Sequence, residues 1–314
     1  MSELDELIRT TLDRQAAGEV DRVSLVSGAL ARGRVKRRRH RALVWGAAAL
    51  ALVVGAGATV ALLERGGGAV VLPAAGAPGA AADPASVGTD PRVVHFAAPA
   101  IEAAARFHTW TSTEGYEQLE AEVDGGLVSV TIGRERAAVE GAQRADGVGV
   151  VLRSQPVPGL WLRVQGADDA RATRALAAVD LDRAQRVVLP FQLGSRPAGS
   201  TPVTAYVGFV DGTYAQGGVI LRGTDGARME VQAQYSRGRT DDSGNHTVGG
   251  RPAFLYPGHD EVALRGVPHL EVSVRIGKAY QGYEVADADA VLAALTVTDR
   301  VERISTWPAS ITND

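Results

Sequence analysis

The sequence predicts an α+β fold: one transmembrane helix, then an extracytoplasmic antiparallel-sheet domain of two similar β-rich units, each ending in a short helix. Three observations carry this. A basic cluster abuts a long uncharged run within residues 32–68. From residue 93 the chain breaks into short, β-branched, partly alternating segments separated by glycine. Two Ala- and Leu-rich stretches with helical spacing follow those segments, one in each half.

Residues 1–41 read as an amphipathic helical arm with a basic border. Ser2 and Asp5 have the spacing of a capping box, and Leu4, Leu7, Ile8 and Leu12 form an apolar stripe. After Gly18, Val20, Val23, Val26 and Leu30 form a second stripe. Each stripe needs cover. The membrane surface, the other helix, or a cytoplasmic regulatory protein docked on residues 2–31 would each supply it. The border is Arg32, Arg34, Lys36, Arg37, Arg38, Arg39 and Arg41.

Residues 42–63 carry no charge. As a helix this run is about 33 Å long, enough for a bilayer core of about 30 Å. It starts far from the N-terminus, and no convincing small-x-small cleavage site follows before Glu64. It therefore reads as an uncleaved signal anchor rather than a signal peptide. The positive-inside rule places the N-terminus in the cytoplasm and the C-terminal domain outside. The small residues Ala47, Ala51, Gly55 and Thr59 share one helical row, which would let two spans approach as a homodimer.

The basic cluster has no interleaved aromatics and no DNA-binding motif, so anionic lipid headgroups explain it better than nucleic acid. Residues 1–41 hold ten basic and six acidic side chains, while the 314-residue chain has a net charge of −3. The outer part is thus acidic, and no nucleic-acid partner is expected. There is no cysteine, which excludes disulfides, thiolate metal sites and a cysteine nucleophile.

Residues 64–92 are rich in Gly, Ala and Pro and read as a disordered linker. Residues 93–184 form unit 1: strand-like "YEQLEAEV", "GLVSVTIGRE", "GVVLR" and "GLWLRVQG", then a helix with Ala172, Leu176 and Val179 on one face, started by Asp168 or Asp169. Residues 185–307 form unit 2: "TPVTAYVGFV", "QGGVILRG", "ARMEVQAQY", "RPAFLY" and "HLEVSVRIG", then "VADADAVLAALTVTD" as a helix capped by Asp287 or Asp289. Aligning "ALAAVDLD" with "VLAALTVT" superposes their apolar positions and suggests duplication. Residues 308–314 remain as a tail.

The motifs of common hydrolases and nucleotide-binding proteins are absent from the sequence. Gly217 and Gly218 lack dinucleotide-binding spacing. His246, His259, Asp260 and His269 are metal ligands by type, but their spacing matches no local motif and His259 sits in a turn-like "YPGHDE". Asp241, Ser243 and Asn245 alternate like part of a calcium loop, but its glycine is misplaced and its terminal glutamate is missing. Tyr206, Phe209, Tyr214, Tyr235, Phe254, Tyr256, Tyr280 and Tyr283 concentrate in unit 2, as core, cross-strand pairs or a groove. No enzyme activity, catalytic residue, cofactor or metal is expected.

One resemblance adds to this reading. "VVLPFQLGSRPAGSTPV" opens unit 2 with Pro-Phe and Pro-x-Gly elements, Val248, Gly249, Gly250 and Ala253 follow, and "DADAVLAAL" closes it. In these features residues 187–300 resemble the extracytoplasmic domains of predicted Gram-positive anti-sigma and sporulation-regulator-like membrane proteins. The layout of arm, Arg-rich border, span, linker and outer domain is similar to actinobacterial single-pass proteins found beside extracytoplasmic-function sigma factors. The resemblance implies a membrane regulator or sensor whose arm meets a sigma factor and whose outer domain meets an envelope ligand or protein. The chain departs from the zinc-containing members, which carry a His-x-x-x-Cys-x-x-Cys element. A tethered outer module without a signalling arm remains the alternative.

Overall fold

The computed structural model describes residues 70–142, 149–236, 243–277 and 280–313. The arm with Leu4, Leu7, Ile8 and Leu12, the border from Arg32 to Arg41 and the run at 42–63 lie outside the described residues. Among the described residues, no helix is long and apolar enough to cross a membrane.

The first half runs β1 (Ala74–Pro78), β2 (Val93–Val94), α1 (Pro99–Ala104), β3 (Ala105–Thr113), β4 (Tyr116–Val123), β5 (Gly126–Gly133), α2 (Arg136–Gly141), β6 (Val150–Val157), β7 (Leu160–Gly166), α3 (Asp169–Ala177) and β8 (Arg183–Arg186). The second runs β9 (Phe191–Leu193), β10 (Thr201–Val210), β11 (Thr213–Arg222), β12 (Arg228–Tyr235), β13 (His246–Val248), β14 (Arg251–Leu255), β15 (Glu261–Leu264), β16 (Leu270–Arg275), α4 (Val285–Ala293) and β17 (Leu295–Val297). The fold is α+β, dominated by antiparallel sheet, as the alternating segments predict.

Both halves contribute to one sheet of order β13-β14-β15-β16-β12-β11-β10-β3-β4-β5-β7-β6. Its central joint is the antiparallel pair β3–β10, with Trp110 opposite Val207 and Thr113 opposite Thr204. Tight turns suit this meander. Asp124 and Asp211 take left-handed φ of 50° and 48° in two-residue Asp-Gly turns, a geometry that short polar side chains tolerate. Two small sheets lie beside it, β1-β8-β2 and β17-β9.

Strand alternation sorts the two faces. One row crosses the sheet through Val164, Val130, Leu119, Trp110, Val207, Gly217, Ala233, Val272, Leu264 and Ala253. All of these are buried. Helices α3 and α4 cover this apolar face. A Cβ on Gly166 would stand 2.6 Å from the Ala172 amide nitrogen, so only glycine lets α3 lie this close to β7. Phe96 meets Trp110 edge-on at 5.0 Å, and Trp307 stacks on Phe209 at 6.4 Å.

Several expectations need correction. Residues 70–92 are not a disordered linker: β1 pairs with β8, and Leu72, Ala80 and Val87 are buried. Nor is the tail free, because Ile311 is buried and Thr312 bridges to Leu193. The α3 start, by contrast, is as the sequence predicts: Asp168 caps it, accepting from the Arg171 amide at 2.8 Å, and Asp169 lies in the first turn. The α4 cap is Glu284 rather than Asp287 or Asp289. Asp287 instead completes a capping box by accepting from the Glu284 amide.

Candidate functional site: the polar face of the sheet

The opposite face carries its own row: Arg153, Arg163, Thr131, Gln118, Thr111, Tyr206, Gly218, Gln232, Ser273, Ala263 and Phe254. Most of these side chains are polar, so this face offers hydrogen-bonding groups from β6 to β16, with Ala263 and Phe254 apolar at the far edge. Two clusters stand out along it.

The first spans β10 to β16. Glu230, only 5% exposed, accepts from the Tyr206 hydroxyl at 2.8 Å and from Arg275 at 3.2 Å. Arg275 also donates to Glu261 at 3.4 Å, which accepts from Ser273 at 2.7 Å. Gln232 donates to the Ser273 hydroxyl at 3.1 Å. Tyr206 reaches Glu230 by crossing β11 over Gly218, where a Cβ would stand 2.8 Å from the Tyr206 hydroxyl. Burial and the Glu230 carboxylate hold the hydroxyls of Tyr206 and Tyr280 well above their ordinary range. Burial opposes the Arg275 charge, but Glu230 and Glu261 outweigh it and raise its pKa. Each of these charges has a partner of opposite sign.

The second cluster is a cleft of about 180 Å³ where α2 roofs the polar face beside β6 and β7. Arg136, Arg153 and Arg163 line it with Glu140, Trp161 and Gln155. Arg153 grips Glu140 through two bonds of 2.6 and 3.1 Å, which hold the carboxyl below the usual carboxylate range. Arg136 lies 3.8 Å from the same carboxylate and 5.6 Å over the Trp161 ring. Arg163 is 2% exposed and donates to Gln165 at 2.8 Å.

The histidines do not converge. His246 bonds both Asp289 oxygens at 2.9 Å, while the His269 ring stacks on Tyr235 at 6.2 Å. His259 occupies a turn with φ of 50°. Among the described residues, no group of three His, Cys, Asp or Glu side chains is placed to hold a metal. Asn245 bonds the Leu255 backbone in both directions, and Asp241 lies outside the described residues. Of the aromatics, Tyr206 and Tyr280 join the polar cluster, whereas Phe209 and Tyr214 are buried on the apolar face.

Sequence reasoning missed Glu230, Glu261, Arg275, Arg136, Arg153, Arg163 and Trp161. For Glu230, Arg275, Trp161 and Arg163 the signal was alternation: "RMEVQAQY", "LEVSVR" and "LWLRVQG" place polar or aromatic groups on every second residue. Comparison with protein-family models, curated proteins and solved structures found no match.

Proposed function

We propose that this chain is a non-enzymatic single-pass membrane regulator or sensor of the cell envelope, anti-sigma-like in layout. The arm is cytoplasmic, residues 42–63 span the membrane, and the folded body lies outside. The reading is carried by one observation: seven basic residues border an uncharged run of spanning length ahead of a separately folded body. The stripe Leu4, Leu7, Ile8 and Leu12 engages a cytoplasmic regulatory protein such as a sigma factor, and the polar row engages an envelope ligand or protein.

In this reading the two halves of the body are repeats. In each, a short opening strand (β2 or β9) precedes a three-stranded meander. A later strand (β7 or β16) then joins the third meander strand. A helix follows (α3 or α4), and a closing strand (β8 or β17) pairs with the opening one. A single span transmits a signal only if association or cleavage changes, so homodimerisation through the small-residue row belongs to the same proposal. Replacing residues 2–31 with an unrelated segment that keeps the basic border should abolish the regulatory phenotype. An unchanged phenotype would overturn it.

The alternative is a tethered binding or structural module. It is favoured by the placement of both polar clusters on the body itself. On that reading the body on any unrelated anchor restores function.

A further inference from the structure

The two polar clusters differ in charge balance. Around Arg275 two carboxylates flank one guanidinium. Among the described residues, three guanidiniums face one carboxylate in the β6–β7 cleft, and Arg153 takes both oxygens of Glu140. Two positive charges are therefore left over among these residues. Arg163 is the unusual member. It is almost fully buried, where an uncompensated cation is costly, and its Nε has no hydrogen-bond partner among the described residues. Its cross-strand neighbour Thr131 is also buried with an unpartnered hydroxyl among the described residues. Burial and the nearby Arg153 charge lower the Arg163 pKa, while Glu140 compensates only in part. Arg136 leans over the indole with its side chain 65% exposed, free to swing onto a ligand.

We propose that this cleft binds a dianionic phosphoryl group, free or as a monoester, with Arg163 and Arg136 taking its oxygens beside Trp161. A guanidinium matches such oxygens in a planar fork, and a dianion neutralises both spare charges where a single carboxylate neutralises one. The inference does not depend on the membrane topology or on the arm.

The test is calorimetric titration of the full-length chain in detergent micelles with inorganic phosphate, phenyl phosphate, acetate and chloride at matched ionic strength. Saturable binding of phosphate or phenyl phosphate, without acetate or chloride binding, is expected. Tighter phenyl phosphate assigns a monoester, and tighter inorganic phosphate a free ion. Arg136→Gln, at an exposed position, should weaken binding at least tenfold. Glu140→Gln should tighten it, and Arg222→Gln, whose partner is Glu114, should leave it unchanged. Arg163→Lys keeps the charge but loses the fork and should weaken binding; should that variant not fold, Arg136→Gln decides. Absence of saturable phosphate binding, equal binding of acetate, or equal losses in Arg136→Gln and Arg222→Gln would each overturn the proposal.

Discussion

Glu102 and His108 are buried near Trp110, and burial moves their pKa values in opposite directions. The Glu102 carboxyl is pushed up to about 7, although the Trp110 indole N–H donates to it at 2.9 Å and Arg183 attracts its charge. The folded state therefore holds that proton more tightly than the unfolded chain. Its stabilising effect is complete below about pH 4.5 and is lost as pH rises towards 7. The His108 ring is pushed down to about 4, so its effect runs the other way: stability grows as pH rises from about 4 to 6.5. Each shift corresponds to about 3 kcal/mol, and the two offset one another between about pH 4.5 and 6.5. Glu102→Gln should leave a stability that rises with pH across this window. His108→Gln should leave one that falls. Urea midpoints at both ends measure the slopes, and parallel slopes in the two variants would contradict the assignment. On the polar face, Gly218→Ala should cost about 1–3 kcal/mol, because its Cβ meets Tyr206 and the Val231 carbonyl at 2.7 Å. A thermal melt unchanged from the parent chain would show that Tyr206 does not need that crossing.

The segment ahead of β3 is held by one buried carboxylate on β4. Glu117 accepts from the amides of Gly88 and His95 at 2.9 and 2.5 Å and from His95 Nδ1 at 2.6 Å. Glu117→Leu would orphan three donors and should cost about 3–5 kcal/mol, with earliest proteolysis between residues 79 and 95. Loss of stability without that local cleavage would mean the carboxylate serves only the core. The same segment shows where sequence reading stopped. "YEQLEAEV" and "TPVTAYVGFV" alternate plainly, and they are β4 and β10 to the residue. The α3 and α4 helices were legible from apolar spacing and acidic starts. "AAGAP" has no such pattern, and its strand β1 exists because β8, distant in sequence, offers an edge. The α1 and α2 helices, six residues each, are too short for a periodic signal and take their support from the strands beneath them. The Arg163 site was invisible for a related reason. Alternation shows that Trp161 and Arg163 share a face, but only the β6–β7 pairing and the α2 roof bring Arg153, Arg136 and Glu140 to it.

At the scale of the whole body, the β3–β10 joint makes the two halves interdependent. Separating them would expose two long strand edges with unpaired amides and carbonyls. Residues 70–187 and 188–313 expressed apart should aggregate or remain unfolded, while together they should melt in one transition. Independent folding of either half, seen by circular dichroism, would contradict that dependence. Beyond the body, the proposed function turns on the arm and its partner. The most direct measurement is in-cell cross-linking of the tagged full-length chain against a version lacking residues 2–31, followed by mass spectrometry. A sigma factor or other cytoplasmic regulator should be recovered only with the intact arm. The same envelope proteins from both forms, with nothing cytoplasmic, would contradict it and leave an anchored extracytoplasmic module.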